Sequence, residues 1–439
     1  MTATKRAEHM SPGLLKVVQR AKRDPEGQLH SLAHHLNEDA LKRAFRRLRK
    51  DAAVGVDGVT KEQYGEALER NVAKLHQRLK AKRYRHQPIR RVHIPKDKGQ
   101  TRPIGISTIE DKMVQGALSE LLEMLYEPAF KDGSYGFRPG RSAHNALGAL
   151  DRALFRGEVS WVLEADIQSF FDSINRKMLM EMLRERIADK SLLRLIGKCL
   201  HVGILEGAEY SEPKEGTVQG SSLSPLLGNV YLHHVLDLWF ERVVQPRLRG
   251  KAILIRYADD FVIGFEREDD ARRVMKVIGR RFERYGLTLH PDKTRLLNFK
   301  RPPRGQLKGK GPVTFDFLGF TVFWQRSRKG HWTPGFKTRK ARLRRAVMSI
   351  ADWCRSHRHQ SVKQQQAALA RRIRGHDNYF GVNGNIRSLQ LLRHYAKHAW
   401  WKWLSRRGAP KPMSWERFHD LLRDHPLPVA RIRVRLWSA

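Results

Sequence analysis

Asp259 and Asp260 stand side by side, and the stretch from Ile253 to Phe265 reads as a hairpin whose two apolar arms meet at Ala258-Asp259-Asp260. Like charges a few ångströms apart repel unless a cation lies between them, so this pair points to metal. A tight hairpin turn decorated with aspartates is the simpler alternative. A second carboxylate shifts the balance. Asp166 ends the run Trp161-Val-Leu-Glu-Ala-Asp166 and is followed by Ile167-Gln-Ser-Phe-Phe-Asp172, an apolar setting in which an unpaired charge is expensive. Two strand-end carboxylate sites can converge on one pair of Mg²⁺ ions, with Mn²⁺ as a substitute. Such a pair stabilises both the attacking and the leaving oxygen of an in-line phosphoryl displacement. Asp166, Asp259 and Asp260 are the expected ligands, with the backbone carbonyl of Ile167 as one more. Asp172 is expected to cap the helix that follows.

The elements that must position these groups can be read from periodicity. Leu41, Ala44, Phe45 and Leu48 recur at helical spacing, as do Leu68, Val72, Leu75 and Leu79 behind a Thr60-x-x-Gln63 capping box. Arg90 to Pro95 and Arg102 to Ile106 read as the strands of a basic hairpin turning at Lys98-Gly99. Ser107-x-x-Glu110 is expected to cap a long helix with Ile109, Met113, Leu118, Leu121 and Leu125 on its apolar face. From 160 to 325 strands and helices alternate, with helices expected at Asn175 to Ile187 and at Ser224 to Phe240, giving an α+β domain. After 335, Leu343, Val347, Ile350 and Trp353 mark one helix, Val362, Leu369 and Ile373 a second, and Ile386, Leu389, Ala396, Trp400 and Trp403 a third.

Composition sets the partner class. Lysine and arginine number 85 against 45 acidic residues, a formal charge of +40 over 439 residues, and the excess runs through the whole chain. A polyanion is the expected partner. Residues 335 to 410 concentrate the excess, with 18 basic and 2 acidic side chains. No apolar run approaches the roughly 18 residues of a spanning helix, and the opening MTATKRAEHM has no secretory apolar core, so a membrane role is not expected. Cys199 and Cys354, far apart and without a CxxC, exclude a disulfide framework and a cysteine zinc site and fit a reducing, bacterial-type cytosol.

Seven ordered segments then carry a resemblance: Arg102-Pro-Ile-Gly-Ile106, Tyr135-Gly-Phe-Arg-Pro-Gly-Arg-Ser-Ala-His144, Ala165-Asp-Ile-Gln-Ser-Phe-Phe-Asp172, Gly216-Thr-Val-Gln-Gly-Ser-Ser-Leu-Ser-Pro225, Tyr257-Ala-Asp-Asp260, Gly286-Leu-Thr-Leu-His-Pro-Asp-Lys-Thr294 and Phe317-Leu-Gly-Phe320. Tyr257-Ala-Asp-Asp260 matches the YxDD signature of reverse transcriptases. In order and spacing the set resembles the successive blocks of group II intron-encoded reverse transcriptases, over roughly residues 35 to 435.

The resemblance implies a right-hand polymerase fold. Residues 1–84 would form a basic helical extension leading into the fingers, 85–325 the fingers and palm, 326–410 a helical thumb or maturase domain X, and 411–439 a basic tail. It implies an RNA-directed DNA polymerase using an RNA template, a DNA primer and deoxynucleoside triphosphates, and binding its intron RNA to assist splicing and mobility. Lys96 and Arg102 would meet the incoming triphosphate. Gln219 and Gly220 would touch the nucleotide and its templating base. Phe171 resembles the aromatic gate against a 2′-hydroxyl, and Phe170 could hold that place if the two alternate on a strand. Lys293 resembles the lysine beside the leaving pyrophosphate, with a surface turn lysine as the alternative. Arg138 and Arg141 resemble the loop that holds the template backbone, and Phe317, Leu318 and Gly319 the primer grip. Arg342, Arg345, Arg371 and Arg372 would contact RNA phosphates. Many relatives continue into an HNH endonuclease. That segment is expected to be missing here, so any mobility would take its primer from elsewhere. Two other readings stand beside this one: a maturase that retains the fold without polymerising, and a reverse transcriptase of a retron, diversity-generating, CRISPR-associated or phage-defence system.

Overall fold

The computed structural model describes residues 11–95, 101–206, 209–211, 215–217, 220–303, 313–327, 329–407 and 413–436. Lys96, the Lys98-Gly99 turn and Gln219 lie outside them. Helices begin where capping side chains stand. Asn37 accepts the Ala40 amide at 3.0 Å ahead of the Glu38–Arg47 helix, whose acidic first turn and basic last turn both complement the helix dipole. The Thr60/Gln63 capping box forms, but it opens only the short Lys61–Gly65 helix, and the Leu68–Lys80 helix starts afresh. The long helix is Ile109–Tyr126. Its cap is Thr108, which accepts the Asp111 amide at 3.3 Å; Ser107 is buried and receives Gln115 instead.

The strands in chain order are β1 Ile89–Pro95, β2 Thr101–Ile106, β3 Trp161–Asp166, β4 Ile204–Glu206, β5 Glu209–Ser211, β6 Ala252–Tyr257, β7 Asp260–Phe265, β8 Arg295–Asn298, β9 Phe315–Phe317, β10 Phe320–Arg326 and β11 Trp332–Thr338. Among the described residues they make three sheets, ordered β2-β1-β4-β5, β6-β7-β3-β8 and β11-β10-β9. The middle one carries the aspartates. Its side chains alternate between two cores, as a strand covered on both faces must. Leu163, Ala165, Phe261, Ile263 and Phe265 join the large core with the Ile109–Tyr126 and Glu268–Glu283 helices. Val162, Ile255 and Val262 join a second core with the Ala143–Arg156 helix and the β9–β11 sheet.

Four expectations are corrected along this stretch. Phe170 and Phe171 lie in a short helix, Phe170–Ser173, and not on a strand. Asn175, not Asp172, caps the Arg176–Arg186 helix, accepting the Met178 amide at 3.0 Å. The helix from Ser224 is α-helical to Leu232 and then widens into π-helical turns at His233–Asp237 and Phe240–Val244. The β10–β11 hairpin runs in register from Phe320↔Thr338 to Arg326↔Trp332, so a domain boundary at 326 would cut it.

The helices Lys340–Ser356, Val362–Phe380 and Ile386–Leu404 follow, packed around Ile350, Leu369, Ile373, Ala396 and Trp400. The segment after 413 is more than a tail. Its Trp415–Asp424 helix inserts Phe418 into this third core and stacks Trp415 on Trp401 at 4.7 Å. It then returns to the second core, with Val434 bridging Val382 and Leu436 buried.

Candidate active site

β3 and β7 pair antiparallel in a register that sets Asp166 directly opposite Asp260. β6 and β7 pair as Tyr257↔Asp260, leaving Ala258 and Asp259 as the two-residue turn. Of these two only Ala258 is left-handed, at φ 58°, so the turn is not the type I′ form, which needs positive φ at both positions. The three aspartates are thus brought to one end of one sheet. Burial, with the negative charges of Asp259, Asp166 and Glu164, pushes the Asp260 carboxyl up to about 7, while the Leu318 amide, donating to Oδ2 at 3.3 Å, pulls it down. Lys293 forms an ion pair with Asp166, and Arg295 donates to Glu164 at 2.8 Å.

Hard carboxylate oxygens crowded until one resists ionising fit a divalent cation. Among the described residues no three histidine, cysteine or acidic side chains close into a cage. Mg²⁺ calls for none, because it keeps several waters and binds through one or two carboxylates plus substrate phosphates. Ile167 follows Asp166 and bridges Leu289. The two bonds of that bridge, His290 N to Asp166 O at 2.8 Å and Gln168 N to Thr288 O at 2.9 Å, do not engage the Ile167 carbonyl.

Phe170 is buried at 3% exposure, while Phe171 keeps part of its ring at the surface, 5.1 Å from Phe170 between centroids. The Thr217 amide donates to the Phe171 carbonyl at 2.6 Å and so holds the short helix against the 216–217 segment. Gly220, at φ 106°, lies where a side chain would begin 2.5 Å from the Gly105 carbonyl, so its close approach is to β2 of the same chain. Arg102 stands in β2 opposite Ile94.

Phe317 and Phe320 pair across Leu318 and Gly319, both left-handed at φ 51° and 80°, which is the type I′ pattern. This turn reaches the aspartates through the Leu318 amide. Tyr379, on the Val362–Phe380 helix, donates its hydroxyl to the Leu318 carbonyl at 2.9 Å and stacks on Phe320 at 5.8 Å. Arg138 is corrected. It is buried, with its guanidinium committed to the Glu127 carboxylate and the Lys131 and Ser134 carbonyls, which makes it an internal clamp with nothing left for a template phosphate. Arg141 ties its loop to Asp132 at 2.7 Å. Arg342 and Arg345 lie exposed on the Lys340–Ser356 helix, and Arg371 and Arg372 lie exposed on the next, Arg372 over the Trp353 ring at 4.9 Å.

Sequence reasoning missed two residues at this site, Tyr379 and Arg256. Tyr379 gave no signal that set it apart from the other aromatic residues of the C-terminal helices. Arg256 did: a charge inside the apolar run Ile253 to Tyr257 is costly unless paired.

Residues 94–322, more than half of the chain, match the family described as reverse transcriptase (RNA-dependent DNA polymerase). Group II intron-encoded protein LtrA of Lactococcus lactis subsp. cremoris is 36% identical over 220 residues, which cover 48% of this chain and 36% of that protein. Protein YkfC of Escherichia coli (strain K12) is 35% identical over 237 residues, covering 48% of this chain and 62% of YkfC. Nuclear intron maturase 1, mitochondrial, of Arabidopsis thaliana is 31% identical over 91 residues, covering 21% of this chain and 12% of that protein. The chain therefore spans between about a third and under two thirds of the length of the first two relatives. Reverse-transcriptase domains have the right-hand polymerase fold and depend on a divalent metal, and both agree with this mixed helix-and-sheet architecture and its clustered carboxylates. Because the matched span takes in the Asp166 strand, the Asp259-Asp260 hairpin and the turn that touches it, the chain belongs to the reverse transcriptase (RNA-dependent DNA polymerase) family and is akin to its group II intron-encoded members.

Proposed function

We propose that this chain is an RNA-directed DNA polymerase that extends a DNA primer on an RNA template, and that it also binds a group II intron RNA to assist splicing and mobility. The observation that carries the reading is the cross-strand pairing of Asp166 with Asp260, next to Asp259, within the family-matched span. Asp166, Asp259 and Asp260 would hold a pair of Mg²⁺ ions, or Mn²⁺ in their place, which when bound would supply charge neutralisation at the attacking 3′-oxygen and the leaving pyrophosphate. The chain's own residues bind and orient. Lys96 and Arg102 offset the charge of the deoxynucleoside triphosphate, and Gln219 and Gly220 line the nascent base pair. Phe171 occupies the space of a 2′-hydroxyl. Lys293, freed from Asp166, serves the leaving group as proton donor. The Phe317 to Phe320 turn steadies the primer end, and Ile167 offers its carbonyl beside Asp166. Arg141 can exchange its exposed Asp132 partner for a template phosphate, since a surface ion pair is worth little.

The C-terminal helices act in this reading as thumb and intron-binding domain, with Arg342, Arg345, Arg371 and Arg372 on phosphates. The names of the relatives favour an intron over a retron or defence system. A bacterial-type cytosol, where both buried cysteines stay reduced, is the proposed place of action, and no helix among the described residues is long and apolar enough to cross a membrane. A maturase without polymerase activity is disfavoured, because RNA folding has no use for carboxylates that repel each other and the polyanion alike.

Replacing Asp259 and Asp260 together by alanine tests the reading. DNA synthesis on an RNA template should be lost, while RNA binding, which depends on the basic surface, stays within about two-fold. Synthesis that survives the double substitution would remove the metal assignment.

A further inference from the structure

Arg256 is an arginine with no exposed surface, placed immediately before Tyr257 in the aspartate-bearing hairpin. A buried charge is retained only where its hydrogen-bonding groups are met, and all five of its N–H donors are. Nε and Nη2 donate to the Asp237 carboxylate at 2.8 and 2.5 Å. Nη2 also reaches Ser134 Oγ at 2.8 Å. Nη1 divides between Asn229 Oδ1 at 3.0 Å and the Ala258 carbonyl at 3.1 Å. Four of these bonds go to scaffold residues, each buried at 3% exposure or less. The fifth goes to the turn itself.

That fifth bond falls where the backbone is least self-sufficient. Ala258 is left-handed, a conformation disfavoured for any residue with a Cβ, and its carbonyl belongs to the peptide that leads into Asp259. The same clamp fixes the other side of the turn. Asn229 Nδ2 donates to the Gly136 carbonyl at 2.7 Å, and a side chain at Gly136 would begin 2.3 Å from the Ala258 nitrogen. The Arg256 amide donates to Gly133 and its carbonyl receives Tyr135, both at 2.8 Å.

The helix beneath is built for this contact. Asn229 and Asp237 are eight residues apart, which in a regular α-helix leaves them about 80° out of line. The π-helical turn at His233–Asp237 lowers the rotation per residue and brings both side chains onto one guanidinium. Such turns are rare and gather at functional sites. An ion pair serving stability alone requires neither the widened turn nor a bond to Ala258.

We propose that Arg256, held by Asp237, Asn229 and Ser134, is the positioning residue of the catalytic turn, fixing the Ala258 carbonyl and through it the direction of Asp259 and Asp260. The inference rests on the polymerase reading, and Arg256 itself touches no substrate. Removing Arg256 alone would strand a buried Asp237 and confound positioning with folding. The test therefore uses the double substitution Arg256→Met with Asp237→Leu, which replaces the pair by apolar side chains, a change that buried ion pairs often tolerate.

The full chain is assayed for kcat and KM of primer extension, for the Kd of primer–template without nucleotide, for melting temperature, and for the rise in melting temperature on adding Mg²⁺. Positioning predicts a kcat at least ten-fold lower with Kd within two-fold, an unchanged melting temperature without metal, and a smaller Mg²⁺-induced rise. A folded double variant with wild-type kcat and a wild-type Mg²⁺ response overturns the proposal. Should the double variant not fold, Arg256→Lys decides. Lysine keeps the charge on Asp237 but cannot serve Asn229 and Ala258 together, so a loss of ten-fold or more supports the clamp and wild-type kcat overturns it. Failure of the polymerase reading would look different, because the unsubstituted chain would then extend no primer.

Discussion

At the scale of single residues, two adjacent phenylalanines sit in different surroundings. Phe170 belongs to the large core, whereas Phe171 is only partly buried and is held by the Thr217 amide next to the Asp166 strand. Phe170→Ala should therefore act on stability, costing about 3–5 kcal/mol for a large buried ring, with sugar discrimination unchanged in whatever protein folds. Phe171→Ala should act on discrimination, raising incorporation of a ribonucleotide relative to its deoxy counterpart by about ten-fold or more, as expected when about 1.4 kcal/mol or more of exclusion is removed. Single-nucleotide extension with the matched pair of substrates measures this directly, and equal discrimination in Phe171→Ala and the parent chain would take the gate away from Phe171. The aspartates were legible in the sequence for a physical reason. A carboxylate beside an apolar run is costly unless its charge is offset, so two such sites, Asp166 and the Asp259-Asp260 pair, pointed to a cation. Arg256 carried the same signal, but its partners lie elsewhere in the chain, Asn229 and Asp237 on the helix that starts at Ser224 and Ser134 in a loop, and could not be named from spacing.

At the scale of elements, capping signals located helices well but not to the residue. Thr108 took the cap from Ser107, and Asn175 from Asp172, because in each case the neighbour was the one whose oxygen reached a free amide in the first turn. The π-helical turns after Leu232 were invisible, since a widened turn lies in the backbone hydrogen bonding and no residue type or spacing marks it. The contact between Tyr379 and Leu318 was equally invisible, and it gives the element scale its own prediction. The left-handed conformation of Leu318, which has a Cβ, makes the Leu318-Gly319 turn costly, and three contacts hold it: the Phe317↔Phe320 pair, the Leu318 amide on Asp260, and the Tyr379 hydroxyl on the Leu318 carbonyl. Tyr379→Phe removes only the last and keeps the stack on Phe320. Stability should fall by about 1 kcal/mol, the worth of one hydrogen bond. If the turn steadies the primer end, kcat/KM for extension should fall by about three- to ten-fold, more than a stability change of that size causes in a protein that remains folded. Calorimetry and steady-state extension on the same preparation separate the two effects, and an unchanged kcat/KM would confine Tyr379 to packing.

At the scale of the whole molecule, the charge of +40 is spread along the chain, and the C-terminal helical unit is strongly basic, with 18 basic and 2 acidic residues between 335 and 410. Folding divides these residues into two sets. The apolar stripes build a core around Ile350, Leu369, Ile373 and Trp400, and the arginines between them, Arg342, Arg345, Arg371 and Arg372 among them, are left on the surface. That division was readable from helical periodicity, whereas the return of Val434 and Leu436 to the second core was not, because isolated apolar residues in a proline-containing tail have no period. A surface of this kind binds phosphates and sheds counterions, so affinity for RNA should fall linearly in log–log form as salt rises, with a slope of about −0.7 to −0.9 per phosphate contact. Reversing Arg371 and Arg372 to glutamate should reduce that slope by about 1 to 2. It should also weaken binding to the intron RNA far more than binding to a short primer–template, which in the proposed reading meets the aspartate-bearing sheet instead. Arg372 lies over Trp353, so Arg372→Gln alone serves as the control for lost ring packing without charge reversal. Protein-assisted splicing at moderate Mg²⁺ should fall with the reversal while extension of a short template persists. An equal loss on both substrates would assign this surface to the polymerase thumb alone, and the intron-binding half of the proposal would then have to rest on other residues.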